Sequence, residues 1–482
     1  MSIFSKVKEA VMNLFRTDAE HVFRVETITS TELEQAQDLW NKIIKNTPPW
    51  INANTKSIGF GKFICQYTAK KTCLELAVSI EGSERADFIN KVIKAMVDKT
   101  LRDKVEDAVG MGGIILKPNG NVNANNAIDY IMPWNYVITE QTSNGDILGA
   151  IFFDRIQRGD DYYTKLEYHH FVEGSNEDGL EGRFYQIENK AFHSTNETSL
   201  GEEISLKYVN EWALLQPVTT VTQVEKPLFS YLKMPWNNSI DYRSPEGVSI
   251  FANCIQELKD LDIAWSRKSD EVNDSQHITF IDEATMKRKD GSRGVKLPRF
   301  VKGLRKGVDS TSTIDEHVAT MLTDQRISDI NANLSMISTK AGFSQGQFVF
   351  NGKSGIQTAT QVESESSETV ETITDIRKAL KSAIKDLCYA LDKYCDLVYA
   401  LPDGYVNILD EKVPDEDVFY FKDLLITFEQ DRNRAYQLMN LGKYSTKKYL
   451  MEYEGFSSDE VDNMMQEIAE EKSQGQDLFT AE

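Results

Sequence analysis

The chain of 482 residues carries a net charge of −21, with 40% hydrophobic and 10% aromatic residues. Its length allows about two to four domains, its apolar content excludes wholesale disorder, and its acidity argues against a general binder of nucleic acid or anionic membrane. An acidic wall would let DNA slide past without gripping it, and the same charge also serves plain solubility.

Residues 1–18, MSIFSKVKEAVMNLFRTD, lack the long apolar core and small-residue cleavage site of a signal peptide. Ile3, Phe4, Val7, Val11, Leu14 and Phe15 share one face of a short amphipathic helix. Its polar face mixes both charges, which suits docking on protein more than on a membrane. No apolar run reaches the roughly 18 residues needed to span a bilayer.

Helices are predicted over 31–50, stopped by Pro48 and Pro49, over 57–80, and over 85–108. From Met111 to Pro227 the pattern changes to short strand-like runs between turn residues, among them GGIILKP, ILGAIFFDRI and KLEYHHFV. Helices first and a meander after make an α+β block. The helical pattern returns over 244–274, with Ser244 as N-cap, Pro245 at the first helical position and Glu246 in the first turn. Ile250, Ile255, Leu258, Leu261 and Trp265 form its apolar face. HITFIDEAT (277–285) reads as a strand.

A basic island follows: Lys287, Arg288, Lys289, Arg293, Lys296, Arg299, Lys302, Arg305 and Lys306, with Asp290 the sole acid among them. It reads as a solvated hairpin or as a docking surface for an acidic partner or for DNA. It lacks the aromatic interleaving used to stack on single strands. A further helix is predicted over 313–340. The chain thus runs out along one rod, through a small basic module, and back along another.

A glycine-punctuated loop then feeds one long helical pattern. From Gln357 to Ala400 there is no Gly and no Pro, so nothing ends a rod roughly 65 Å long. Ile373, Ile376, Leu380, Ile384, Leu387, Leu391, Tyr394 and Val398 recur at steps of three and four, a core-facing stripe. The first half is acidic and hydroxyl-rich, with Glu363, Glu365, Glu368 and Glu371. Beyond it LLITF (424–428) reads as a strand, and helices broken near Gly442 and Gly455 lead to a polar tail after Ser473.

No catalytic constellation is visible. NGKSG (351–355) fails the P-loop spacing because Gln347 stands where that motif needs Gly. His21, His169, His170, His193, His277 and His317 show no zinc spacing, and adjacent His169 and His170 point to opposite faces of a strand. Cys65, Cys73, Cys254, Cys388 and Cys395 form no CxxC pair and read as reduced core thiols of an intracellular chain. The expectation is no enzyme, no cofactor and no metal.

The order helix, basic module, returning helix, loop, very long helix resembles the core of bacteriophage portal proteins. GFSQGQFVFNGKSGIQTATQVESESSETVETI is similar to the Thr-Ala-Thr segment that opens the long helix in portals of tailed phages of Gram-positive hosts. SPEGVSIFANCIQELKDLDIAWS is similar to the family's first stem helix, and LLITFEQDRNRAYQLMNLGKYSTKKYLMEYEGFSSDE to its C-terminal segment. Gln361 departs from the family's usual Glu, and 275–312 matches less closely.

The resemblance implies a portal-type α+β fold. An α/β wing would occupy 1–243, a first stem helix 244–274, a small α/β clip 275–312 and a second stem helix 313–340. A tunnel loop would follow at 341–357, a very long wing helix at 358–401, and a helical wing and crown region at 402–482. It implies a homo-oligomeric ring of about twelve subunits at one capsid vertex of the virion, assembled in the host cytoplasm. Double-stranded DNA would pass Gln345, Gln347, Asn351 and Lys353 without sequence readout. Arg293, Lys296, Arg299, Lys302 and Arg305 would dock the terminase large subunit and the head–tail adaptor, with major capsid and scaffolding proteins as further partners. ATP hydrolysis would belong to the terminase. A non-portal minor head component, an interaction protein without a channel, is the alternative.

Overall fold

The computed structural model describes residues 16–175, 181–274, 278–282, 301–304, 314–317, 322–350, 359–422, 424, 428–442, 444–454, 456–457, 460–461 and 464–466. Two compact units divide the chain, one within 1–422 and one within 423–482. The N-terminal amphipathic stretch, residues 3–15, lies outside the described residues, and 16–23 are helical.

α1 (Thr31–Ile44) starts where the Ser30 hydroxyl accepts the Leu33 N–H, and it buries Leu33, Gln37, Trp40 and Ile43. It ends before Pro48 rather than at it. α2 (Phe60–Thr72) leaves from Gly59 at φ 73° and is followed by the short β1 (Ala77–Val78). The helix predicted over 85–108 is two: α3 (Glu84–Lys99), capped by Ser83, and α4 (Leu101–Met111). Thr100 closes the first and opens the second. Gly112 ends α4 at φ 87°. A Cβ there would lie 2.4 Å from the Gly247 carbonyl oxygen, so two backbones cross at a distance only glycine permits.

The meander is β2 (Gly113–Pro118), β3 (Ile128–Ile131), β4 (Tyr136–Gln141), β5 (Ile147–Arg158), β6 (Asp161–Ser175), β7 (Glu181–Ser194), β8 (Glu202–Ile204), β9 (Val218–Val221) and β10 (Ser230–Lys233). β10-β2-β3 form one antiparallel sheet. β4-β5-β6-β7-β8 form a larger one, with β9 paired to β7. Ile151, Leu166, Tyr168 and Phe192 on one face of the larger sheet pack on Ala19, Val22 and Phe23. On the other face Phe171, Tyr185 and Ile187 pack on Ala390 and Tyr394 of the long helix.

Ser244 does not begin a helix. Its hydroxyl accepts the Glu246 N–H at 3.2 Å inside a buried, non-helical segment, and α5 spans Ile255–Asp274. Glu246 is drawn inward instead by donors from Thr29, Gln37 and Tyr136, which no local pattern reveals. The small module holds β11 (Ile278–Asp282), β12 (Val301–Leu304) and β13 (Ile314–His317). Central β11 runs parallel to β12 and antiparallel to β13. The strand at 314–317 shortens the helix predicted from 313: α6 spans Thr323–Lys340.

α7 (Ala359–Tyr394) runs 36 residues, about 54 Å. Seven members of the predicted stripe, Ile373 to Tyr394, are buried. The eighth, Val398, is 50% exposed because Cys395–Tyr399 form a π-turn. The wider turn advances the chain out of the 3.6-residue phase. β14 (Phe419–Tyr420) pairs antiparallel with β1. In the second unit α8 (Phe428–Asn440) and α9 (Thr446–Tyr453) are described. Of the predicted strand LLITF, residues 425–427 lie outside the described residues, and Phe428 opens a helix.

Candidate functional site

Two ion pairs fix α5 and α6 as antiparallel rods. Glu271 meets Arg326 at 2.8 Å at one end, and Glu257 meets Lys340 at the other. The paired positions are fourteen residues apart on each helix, about 21 Å of rise. Glu271 also accepts the Leu322 N–H at 2.6 Å. It thereby caps a helix whose own N-cap residue offers no side-chain bond. The charge-assisted bond to Arg326 holds the Glu271 carboxyl below its ordinary pKa.

The loop leaving α6 is anchored at its base. Gly342 turns at φ 78°, and a Cβ there would sit 2.7 Å from the Thr372 hydroxyl. Phe343 is fully buried. The Ser344 N–H donates to the Thr369 hydroxyl at 3.0 Å, and the Thr369 N–H returns to the Ser344 hydroxyl at 3.3 Å. Thr372 donates to the Gly342 carbonyl. Thr369 and Thr372 in the first half of α7 therefore serve as hooks for the loop.

Its middle is held by rings. Phe348 lies edge-on to four of them: Phe343 at 5.3 Å, Tyr67 at 5.4 Å, Phe60 at 5.5 Å and Phe63 at 5.7 Å. Edge-to-face pairs at such spacing add about 0.5–1.5 kcal/mol each beyond area burial. Gln347 donates to the Tyr67 hydroxyl at 3.1 Å. At the far end both backbone groups of Phe350 pair with Asn331 of α6, its N–H at 2.8 Å and its carbonyl at 3.0 Å.

Of the predicted loop residues, Gln345 and Gln347 stand exposed beside these contacts, while Asn351 and Lys353 lie outside the described residues. Arg293, Lys296, Arg299 and Arg305 lie outside them as well. Lys302 has a described backbone on β12, in register with Phe280 of β11. Sequence reasoning missed Tyr67, Phe348 and Asn331 as loop anchors. The spacing of Phe60, Phe63 and Tyr67 along one helix face was the available signal.

The larger sheet holds a separate polar cluster. Glu167 is buried and takes Lys165 at 2.8 Å, Lys117, and the His169 ring at 2.7 Å. Burial alone would raise its pKa, but the two ammonium groups outweigh it and hold the carboxyl well below the usual range. Tyr185 receives the Leu228 N–H and faces His169 Nδ1 at 2.9 Å. Every atom is satisfied when Tyr185 donates to Nδ1 and Nε2–H donates to Glu167. Both predicted histidines are thus core groups, His169 in this chain and His170 against Glu188 at 3.6 Å. All five cysteines are free. Burial pushes Cys73, Cys254 and Cys395 up to about 12, so none is a thiolate near neutral pH. Among the described residues no group of His, Cys, Asp and Glu is arranged to hold a metal.

A family model described as "Phage portal protein, SPP1 Gp6-like" matches residues 33–478. No curated protein matches the sequence. Two solved structures align over most of their lengths. One comes from "Virion of native gene transfer agent (GTA) particle", with 11% identity, TM-score 0.37, and coverage of 82% of this chain and 88% of the other. The second comes from "Neck of native GTA particle computed with C12 symmetry", with 10% identity, TM-score 0.34, and coverage of 85% and 91%. At those scores the assignment rests on the family match.

Proposed function

Since the chain belongs to the SPP1 Gp6-like family of phage portal proteins, we propose that copies of it close into a ring at one capsid vertex, through which double-stranded DNA enters and leaves. The observation that carries this reading is the family match, which runs from α1 through both rods, the loop and the long helix to the second unit. In the ring, α5 and α6 form the stem, the small β11–β13 module the clip, and residues 341–357 the tunnel loop. The wing lies within 1–243 together with α7, and the C-terminal part forms wing and crown.

The physics supports this assignment of parts. A pair of rods locked at both ends by Glu271–Arg326 and Glu257–Lys340 is rigid enough to repeat as a wall. A chain of net charge −21 repels phosphate and keeps a bore slippery. Gln345 and Gln347 offer neutral donors that touch phosphate without reading bases. The clip segment, which carries Arg293, Lys296, Arg299, Lys302 and Arg305 in its sequence, docks the terminase large subunit and the head–tail adaptor. Nucleotide hydrolysis belongs to the terminase.

The test is DNA protection. Particles assembled with the chain should hold DNase-resistant genome, and particles assembled without it should hold none. Equal protection in both would overturn the reading.

A further inference from the structure

A string of cations and rings leads from the loop past the end of α2 to the middle of α7. It begins at Gln347, which donates to the Tyr67 hydroxyl at 3.1 Å. That hydroxyl accepts one bond there and keeps its own proton to donate. The Lys71 ammonium stands over the Tyr67 ring at 5.8 Å, one helical turn further along α2. Lys70 is exposed and neighbours Tyr67 at the i, i+3 spacing. Beyond the end of α2, Arg377 of α7 donates to the carbonyls of Lys71 at 3.0 Å, Thr72 at 3.2 Å and Lys422 at 3.0 Å. Its guanidinium lies over the Phe421 ring at 4.8 Å. Lys381, one turn further along α7, stands over the same ring at 5.7 Å. Every step from Gln347 to Lys381 is a direct contact.

The string is basic in a chain of net charge −21. Among the described residues, Lys70, Lys71 and Lys381 pair with no carboxylate. The carboxylates nearby are already taken. Glu75 pairs with Lys422 at 2.6 Å and Asp375 with Lys378 at 2.8 Å. Glu371 sits about 120° around the α7 axis from Arg377. A helix dipole favours cations in the last turn of α2, which would account for Lys70 and Lys71 alone. It does not account for Lys381, in the middle of α7.

We propose that Lys70, Lys71, Lys381 and the Tyr67 hydroxyl form a seat for the phosphate backbone of double-stranded DNA, continuing the contact that Gln345 and Gln347 begin. The inference rests on the portal reading, which brings DNA to the loop. Ammonium groups on flexible stems follow a phosphate in any orientation and read no base. Three such contacts make a weak grip, one whose affinity falls about 40-fold between 50 and 200 mM salt. In an otherwise repelling bore, a grip of that size gives a passing duplex a foothold without stopping it.

The test is lysine acetylation footprinting of the full-length chain, read residue by residue by mass spectrometry, with and without a short blunt DNA duplex. Lys70, Lys71 and Lys381 should react about five-fold more slowly with duplex at about 50 mM salt, and the protection should vanish at about 500 mM. The exposed Lys207 and Lys412 should react alike in both. Changing Lys70, Lys71 and Lys381 together to Ala should lower the slope of log affinity against log salt by about two to three. Changing them to Arg should restore it. Arg377 stays intact in both variants, because its donors serve three backbone carbonyls. Equal acetylation with and without duplex, or an unchanged salt slope, would overturn the seat. Protection by poly-glutamate and not by duplex would overturn it too, and would assign the surface to an acidic protein. Electron microscopy of the same samples separates this failure from that of the portal reading. Rings without protection leave the reading standing, and a wild type that never forms rings would sink both.

Discussion

Arg85 on α3 donates to Asp392 Oδ1 on α7 at 3.1 Å although 307 residues separate them. The same guanidinium, 1% exposed, also donates to Asp396 and to the carbonyls of Leu401 and Pro402. It therefore satisfies acceptors around the π-turn, where helix carbonyls lose their internal partners, and it fastens the end of the long helix to the N-terminal helices. Arg85→Ala should destabilise the first unit by about 3 kcal/mol, the low end for a broken buried pair, because Asp396 is half-exposed and can rehydrate. Arg85→Lys should recover little, since an ammonium cannot span the same fork of acceptors. Urea midpoints of the three proteins check this.

Glu167→Gln leaves Lys117 and Lys165 buried without their carboxylate and should cost about 3–5 kcal/mol near neutral pH. The pH signature is specific. A carboxyl held below its unfolded value of about 4.3 adds stability that is complete above that value and disappears as pH falls through the folded one. The gap between wild type and Glu167→Gln should therefore narrow below about pH 4, read as urea midpoints against pH.

Glu246 carries the opposite sign. Burial raises its pKa against the opposing hydrogen bonds from Thr29, Gln37, Tyr136 and Ser244. Its contribution is complete below the unfolded value and is lost as pH rises through the folded one. Glu246→Gln, neutral at every pH, should lose less stability than wild type as pH rises above the unfolded carboxyl value of about 4.3. A variant with the wild-type slope would refute this account of Glu246.

Phe348→Ala removes the ring that sits among Phe60, Phe63, Tyr67 and Phe343. For a half-buried site the global cost should be about 1–2 kcal/mol. The local effect should be larger. The Phe350 amide, bonded to Asn331 at 2.8 Å, should exchange much faster with deuterium while the α6 core keeps its protection. Unchanged exchange at Phe350 would show that Asn331 alone holds the loop.

The long helix was legible because its signal is local: no Gly or Pro, and an apolar stripe whose members from Ile373 to Tyr394 are all buried. Val398 broke the stripe because a π-turn has no sequence signature at that length scale. The two rods and the module between them were also readable, though α6 starts at Thr323 because residues 314–317 pair with β11. Ser244, Pro245 and Glu246 formed a sound capping pattern in the wrong place. Glu246 instead serves Thr29, Gln37 and Tyr136, the nearest of which lies 110 residues away. The loop's anchors were hidden for the same reason. Gln347 meets Tyr67 across 280 residues, and periodicity reports which face of a helix is buried but not what covers it.

The most direct test of the portal account is cryo-electron microscopy of the purified full-length chain. The account predicts closed rings with a central bore, in which α6 and residues 341–350 line the narrowest part and the larger sheet lies at the periphery. Monomers at every concentration, open filaments, or rings whose bore is lined by the larger sheet would contradict it.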